Sequence, residues 1–230
     1  MMYVRCILAA MLLTLPSLLP AKPLDARSGP ILNALATRYR SYTSFSAEVR
    51  TYMVQEGTQN PPLQTGKVQY QGNKYRVTLP GMELICDGQK IYQYLPQVKE
   101  VNVSLVSQGD PGGSLLMSSP MEFIARSTRD FDTRLLKTYQ EAGRNMLELE
   151  LTPASGASPS VESASSNITK VVLKVDQQRI QVLSMNALMQ NGVRFYVEFS
   201  RIQVNLPIKD TEFLFRPQDH PGVEVIDLTY

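Results

Sequence analysis

"KYRVTLPGMELICDGQKIYQYL", residues 74–95, decides how the chain is read. In its first six residues Tyr75, Val77 and Leu79 alternate with Arg76 and Thr78. Such a period of two places every second side chain on one face of a strand. "MELIC" and "KIYQYL" then flank Asp87-Gly88, a pair that favours the tight turn of a β-hairpin. The stretch therefore predicts consecutive antiparallel strands joined by short turns. It does not say which face of "KIYQYL" is inside. Ile91 and Leu95 lie on one face, Tyr92 and Tyr94 on the other, and both faces are apolar enough to bury.

The pattern extends in both directions. Upstream, "SFSAEVRTYMV" puts Phe45, Ala47, Val49 and Met53 on one face, opposite Ser46, Glu48, Arg50 and Tyr52, and "GKVQYQ" follows. Downstream, "KEVNVSLV" alternates Val101, Val103 and Leu105. The alternation breaks at "SQGDPGGSLLMSSPMEFIARST", where Gly and Pro predict a loop with a flexible run before a helix. Ser119-Pro120 opens that helix, at about 120–127, which carries Met121, Phe123, Ile124 and Ala125. Strands resume with "TRLLKTY", "NMLELEL", "ITKVVLKVD", "RIQVLSM" and "VRFYVEFSRIQV". In the last, Val193, Phe195, Val197 and Phe199 alternate with Arg194, Tyr196, Glu198 and Ser200. Residues 153–167, "PASGASPSVESASSN", are polar and of low complexity and predict a surface loop.

Before the first strand, Ile31, Leu32, Leu35, Ala36 and Tyr39 recur at helical spacing. They predict an amphipathic helix at roughly 30–42, with Ser28 as its cap and Pro30 in its first turn. The sum is about eleven strands and two helices in one domain, residues 28–230. So long a meander curls into a strongly bent sheet or barrel, and an unclosed one leaves an apolar concavity. The expected fold is therefore mainly β: an unclosed antiparallel barrel whose cavity is covered by short helices. Phe45, Val49, Tyr75, Val77, Leu79, Val193, Phe195, Val197 and Phe199 are expected to line the concavity. Ile31, Leu35, Met121, Phe123 and Ile124 are expected to form the lid, because their apolar stripes need somewhere to bury.

The N-terminus, "MMYVRCILAAMLLTLPSLLPA", has a basic start and an apolar run too short and proline-broken to span a membrane. It predicts a signal peptide over residues 1–21, with cleavage as late as Ala26 left open. Cys6 lacks the small-residue box of a lipid-attachment site, so a soluble secreted protein is expected. Cys86 then has no partner for an internal disulfide.

Composition removes several kinds of chemistry. A net charge of +2 gives no strong basic excess for nucleic acid. The chain has one histidine, His220, between Asp219 and Pro221, and no metal-binding spacing. No metal, no cofactor and no catalytic residue are expected, and His220 reads as a surface turn residue. The ten methionines suit an adaptable apolar surface.

The C-terminal stretch "DTEFLFRPQDHPGVEVID" resembles the signature of the LolA family of periplasmic lipoprotein carriers. The resemblance lies in Phe213, Phe215, Pro217, Gly222, Val223 and Val225. "GNKYRVTLPGMELICDGQKIYQYLP" is similar to that family's strand–strand–Asp-Gly–strand block, and "SSPMEFI" to its short helix. Where the family frequently has Arg-Pro, this chain has "QGNK", so that Gly72 or Asn73 stands there instead. The resemblance implies a soluble, monomeric periplasmic shuttle that shields the acyl chains of lipoproteins. The implied partners are acylated lipoproteins, an inner-membrane ABC transporter and, if present, an outer-membrane receptor. The alternative is a periplasmic lipid-sensing or regulatory half-barrel, or a glycolipid carrier.

Overall fold

The computed structural model describes residues 27–55, 57–58, 62–106, 120–154 and 167–229. The expected signal peptide, the Gly/Pro run before the second helix and most of the low-complexity loop lie outside these residues.

Helix α1 spans Ser28–Arg40 and helix α2 spans Pro120–Asp130. Strands β1 (Ser44–Gln55), β2 (Gln64–Gln71), β3 (Lys74–Leu79), β4 (Met82–Cys86), β5 (Lys90–Leu95) and β6 (Glu100–Leu105) precede α2. After it come β7 (Phe131–Glu141), β8 (Arg144–Pro153), β9 (Ile168–Asp176), β10 (Gln181–Met189), β11 (Val193–Val204) and β12 (Glu224–Asp227). All twelve form one sheet in the order β12-β6-β5-β4-β3-β2-β1-β11-β10-β9-β8-β7. The two meanders meet where β1 pairs with β11. The sheet does not close, because β12 and β7 are its two ends. There are twelve strands instead of the expected eleven: the last arises from "EVID" at the C-terminus. It pairs with β6 in parallel, so the sheet is not wholly antiparallel.

The turns follow local chemistry. Between β4 and β5, the Asp87 carboxylate accepts the backbone N–H groups of Gln89 and Lys90, both at 2.8 Å. Gly88 follows at φ +99°, a conformation that costs a residue with a Cβ. Between β9 and β10, Asp176 is fully buried yet paired with Arg179 at 3.1 Å and Arg144 at 3.7 Å. Its charge is compensated, as burial demands.

The expected helix cap is corrected. Ser28 is the first residue of α1 and its hydroxyl does not cap the helix; it donates to the Thr133 carbonyl on β7 at 2.9 Å. That bond is long-range, so no local spacing rule could have indicated it.

Two apolar layers cover the two faces of the sheet. The larger lies on the concave face and includes strand residues from β1 to β5 and β7 to β11, together with Leu32, Leu35, Tyr39, Phe123 and Ile124 from the helices. The smaller lies on the outer face of β4 to β6. There Ile85, Val101 and Val103 pack with Phe215, flanked by Tyr92, Tyr94 and Val223. The segment after β11 crosses this outer face as a strap. Phe213 is fully buried, Lys74 pairs with Asp210 at 3.0 Å, and Arg76 donates to the Glu212 carbonyl at 3.1 Å.

His220 lies in a turn, whose Val223 N–H donates to the His220 carbonyl at 3.0 Å, but it is more than a surface turn residue. Its ring is half-buried and stacks on Phe215, with centroids 4.7 Å apart and planes 3° from parallel. Tyr94 lies 4.4 Å away on another side. The imidazole thus completes an aromatic cluster that joins the strap to β5.

Candidate functional site

The concave face is the candidate site, and cross-strand register shows how it is assembled. Residues directly opposite on paired strands share a face. Val49 opposes Phe199, Tyr70 opposes Tyr75, Val77 opposes Leu84, and Cys86 opposes Ile91. All eight belong to the concave cluster. On the other wall Leu147, Leu149 and Leu151 of β8 oppose Val175, Leu173 and Val171 of β9. β10 continues the wall with Val182, Met185 and Ala187.

Of the residues expected to line this face, Phe45, Val49, Tyr75, Val77, Phe195, Val197 and Phe199 are buried in the cluster, and Leu79 packs against it half-buried. Val193 is half-buried at the strand end and is not among the clustered residues. Met53 has the right parity but is 58% exposed, although Phe195 opposite it is buried. Arg76 lies on the outer face and pairs with Glu83 at 2.5 Å. Glu198, also on the outer face, pairs with Arg50 at 3.5 Å.

The helices occupy the open side of this face. Leu35 and Phe123 are fully buried and Ile124 nearly so, whereas Ile31 and Met121 are partly buried against the same cluster. Leu32, Ala36 and Tyr39 of α1 bury equally well. The helical period contained that signal, and the lid is wider than the five residues first selected. Phe123 meets Phe131 edge-on at 5.4 Å, where α2 runs into β7.

Polar ties anchor the layer. The Tyr39 hydroxyl accepts the Val182 backbone N–H at 2.9 Å. That N–H lies at a register shift between β9 and β10, where the ladder is irregular. Burial pushes the Tyr39 phenol far above its ordinary value. Arg40 donates to the Ala125 carbonyl at 2.6 Å and so ties α1 to α2. Burial also raises the Cys86 thiol, which sits between the Asn73 carbonyl and the Gly88 N–H. That makes it a packed, unreactive group.

Sequence reasoning did not find a change of face on β11. Between β1 and β11 the register shifts by one residue, and Arg201 sits at φ +49°. Beyond this bulge Ile202 and Val204, of the opposite parity to Phe199, pack against the concave cluster. Period-two reading cannot detect a bulge that local residue types do not announce.

Among the described residues no group of three or more His, Cys, Asp or Glu could hold a metal ion. None of the described helices is long and apolar enough to cross a membrane. The geometry offers an apolar, concave binding surface with a helical cover.

No family model and no curated protein matches the chain. Solved structures do. An uncharacterized conserved protein from Thermus thermophilus matches with TM-score 0.54 at 12% identity, over 86% of this chain and 97% of that one. A LolA superfamily protein from Nitrosomonas europaea matches with TM-score 0.40 at 16% identity, over 81% and 96%. The lipoprotein LppX of Mycobacterium tuberculosis matches with TM-score 0.45 at 12% identity, over 78% and 97%. The two lower scores mark a looser likeness. The chain has the fold of the Thermus protein: an unclosed half-barrel with helices over its concave face.

Proposed function

We propose that this protein is a soluble periplasmic carrier that shields the acyl chains of lipoproteins between the inner and outer membranes, and that it has no catalytic role. The observation that supports this reading is the pairing of two apolar surfaces. The faces of α1 and α2 lie directly on the concave wall, mostly through side-chain packing. An acyl chain could take the place of those side chains on the same wall. Transfer of a methylene out of water is worth roughly 0.8 kcal/mol, so ten of them gain roughly 8 kcal/mol. Displacing the helices offsets part of that gain, which keeps release feasible. The solved LolA superfamily protein adds likeness of form only. An inner-membrane ABC transporter as donor and an outer-membrane receptor as acceptor belong to the same reading.

The test is binding of an environment-sensitive fluorescent fatty acid to the wild type and to Phe123→Asp and Ile124→Lys. Circular dichroism and thermal melting serve as folding controls. Binding by the wild type, and at least tenfold weaker binding by folded variants, supports the carrier reading. Folded variants that bind as well as the wild type overturn the role of the lid. A wild type that binds no acyl probe overturns the carrier reading and favours a regulatory module acting through its outer face.

A further inference from the structure

The two ends of the concave face differ chemically. From β8 to β10 the wall is apolar throughout. On β5 and β6 it is not. Ser104 opposes Ile91, and Asn102 opposes Gln93, which in turn opposes Leu84. Ile91 and Leu84 belong to the concave cluster, so Ser104, Asn102 and Gln93 share that face. The alternate residues of these strands, Tyr92, Tyr94, Val101 and Val103, are on the outer face under the strap.

Among the described residues, two buried side-chain oxygens have no hydrogen-bond partner: Ser104 Oγ and Thr133 Oγ1. Ser104 is 8% exposed and Thr133 is 9% exposed. Thr133 opposes Leu151 and therefore also faces inward. The two unsatisfied hydroxyls stand near opposite ends of the open sheet, one on β6 and one on β7. A buried unpaired hydroxyl is costly, and such groups mark places where a partner is absent. Beside Ser104, Asn102 is half-buried. The Gln93 amide makes only a weak 3.8 Å contact to the Met82 sulfur. Ser104, Asn102 and Gln93 thus set neutral N–H and O–H donors along this lip, while Glu100, opposite Leu95, and Glu224 of β12, opposite Glu100, carry the same face on to a charged far end.

We propose that this lip binds the carboxylic ester carbonyls of a diacylglyceryl group, with Ser104 Oγ, Gln93 Nε2 and Asn102 Nδ2 as donors. The inference rests on the carrier reading and names the part of the cargo that sets its register. The acyl chains lie along the apolar wall, and the neutral, acceptor-only ester linkage meets the neutral donors. A free fatty acid, a hydrocarbon or a dialkyl ether offers no ester carbonyl at that point.

The experiment uses the whole protein and competition against a fluorescent fatty acid. One competitor is didecanoylglycerol and the other its didecyl ether analogue. The wild type is expected to bind the diester roughly five- to tenfold more tightly, in keeping with one or two net hydrogen bonds. Ser104→Ala and Gln93→Met should each reduce that ratio while leaving affinity for the ether unchanged. Ser104→Ala removes an unsatisfied group, so it should fold at least as well as the wild type. A further arm compares a diacylglyceryl-cysteine peptide with a phospholipid of equal chain length and identifies the source of the ester. Equal affinity for diester and diether overturns the ester lip and leaves the carrier reading intact. A preference that survives both substitutions places recognition elsewhere and also overturns it. Failure of both competitors together with the fatty acid to bind overturns both readings.

Discussion

Arg40 on α1 reaches the Ala125 carbonyl on α2 at 2.6 Å, and this bond joins two helices through residues 85 positions apart in sequence. It makes the helical layer one unit. The arginine is exposed, so the bond adds roughly 1 kcal/mol or less to overall stability. Arg40→Ala should therefore leave the melting temperature nearly unchanged. It should raise affinity for an acyl probe about two- to fivefold, because lifting α2 then costs less. Hydrogen exchange of residues 120–130 should accelerate in the same variant. Unchanged exchange would show that the tie carries no load.

Tyr39 has two roles, apolar filling and acceptance of the Val182 N–H. Tyr39→Phe keeps the first and orphans that N–H in a buried site. The expected cost is about 1–3 kcal/mol, read from denaturant unfolding. Tyr39 also sets an alkaline limit. Its folded-state phenol titrates well above the unfolded value of about 10. Above that pH the unfolded chain loses a proton that the folded chain keeps. Stability is therefore full below pH 10 and falls as pH rises further. The slope of stability against pH above 10 should be shallower in Tyr39→Phe than in the wild type.

His220 stacks on Phe215 at 4.7 Å and is 4.4 Å from Tyr94, all on the outer face. His220→Ala should cost about 0.5–1.5 kcal/mol of stability through lost ring contacts. Acyl-probe affinity should stay within a factor of two, because the cluster lies on the far side of the sheet from the helices. A loss of binding without loss of stability would contradict this placement.

Gly66 on β2 permits a close strand approach. A Cβ there would come within 2.1 Å of the Thr78 carbonyl oxygen and 2.7 Å of the Leu79 side chain. Backbone cannot yield as a flexible side chain can. Gly66→Ala should destabilise the fold by about 1–3 kcal/mol in chemical denaturation. A neutral result would mean that β2 and β3 are further apart than described.

Much was determined by the sequence alone. Period-two alternation in residues 44–55, 74–79 and 193–200 was enough to locate β1, β3 and β11 and to orient most of their side chains, because one face is buried and the other wet. The helical recurrence of Leu32, Leu35 and Tyr39 was enough to define α1 and its apolar stripe. Tertiary structure decided what alternation leaves open. On β5 both faces are apolar because both are covered, Ile91 by the concave cluster and Tyr92 and Tyr94 by the strap. The bulge at Arg201 exchanges the faces of β11, and the parallel pairing of β12 with β6 turns a C-terminal tail into a strand. The Ser28 hydroxyl, which could have capped its own helix, bonds to Thr133 instead. Each of these is a choice between locally equivalent options. Contacts with residues far along the chain decide it, so the information is in the packing and not in any window of sequence.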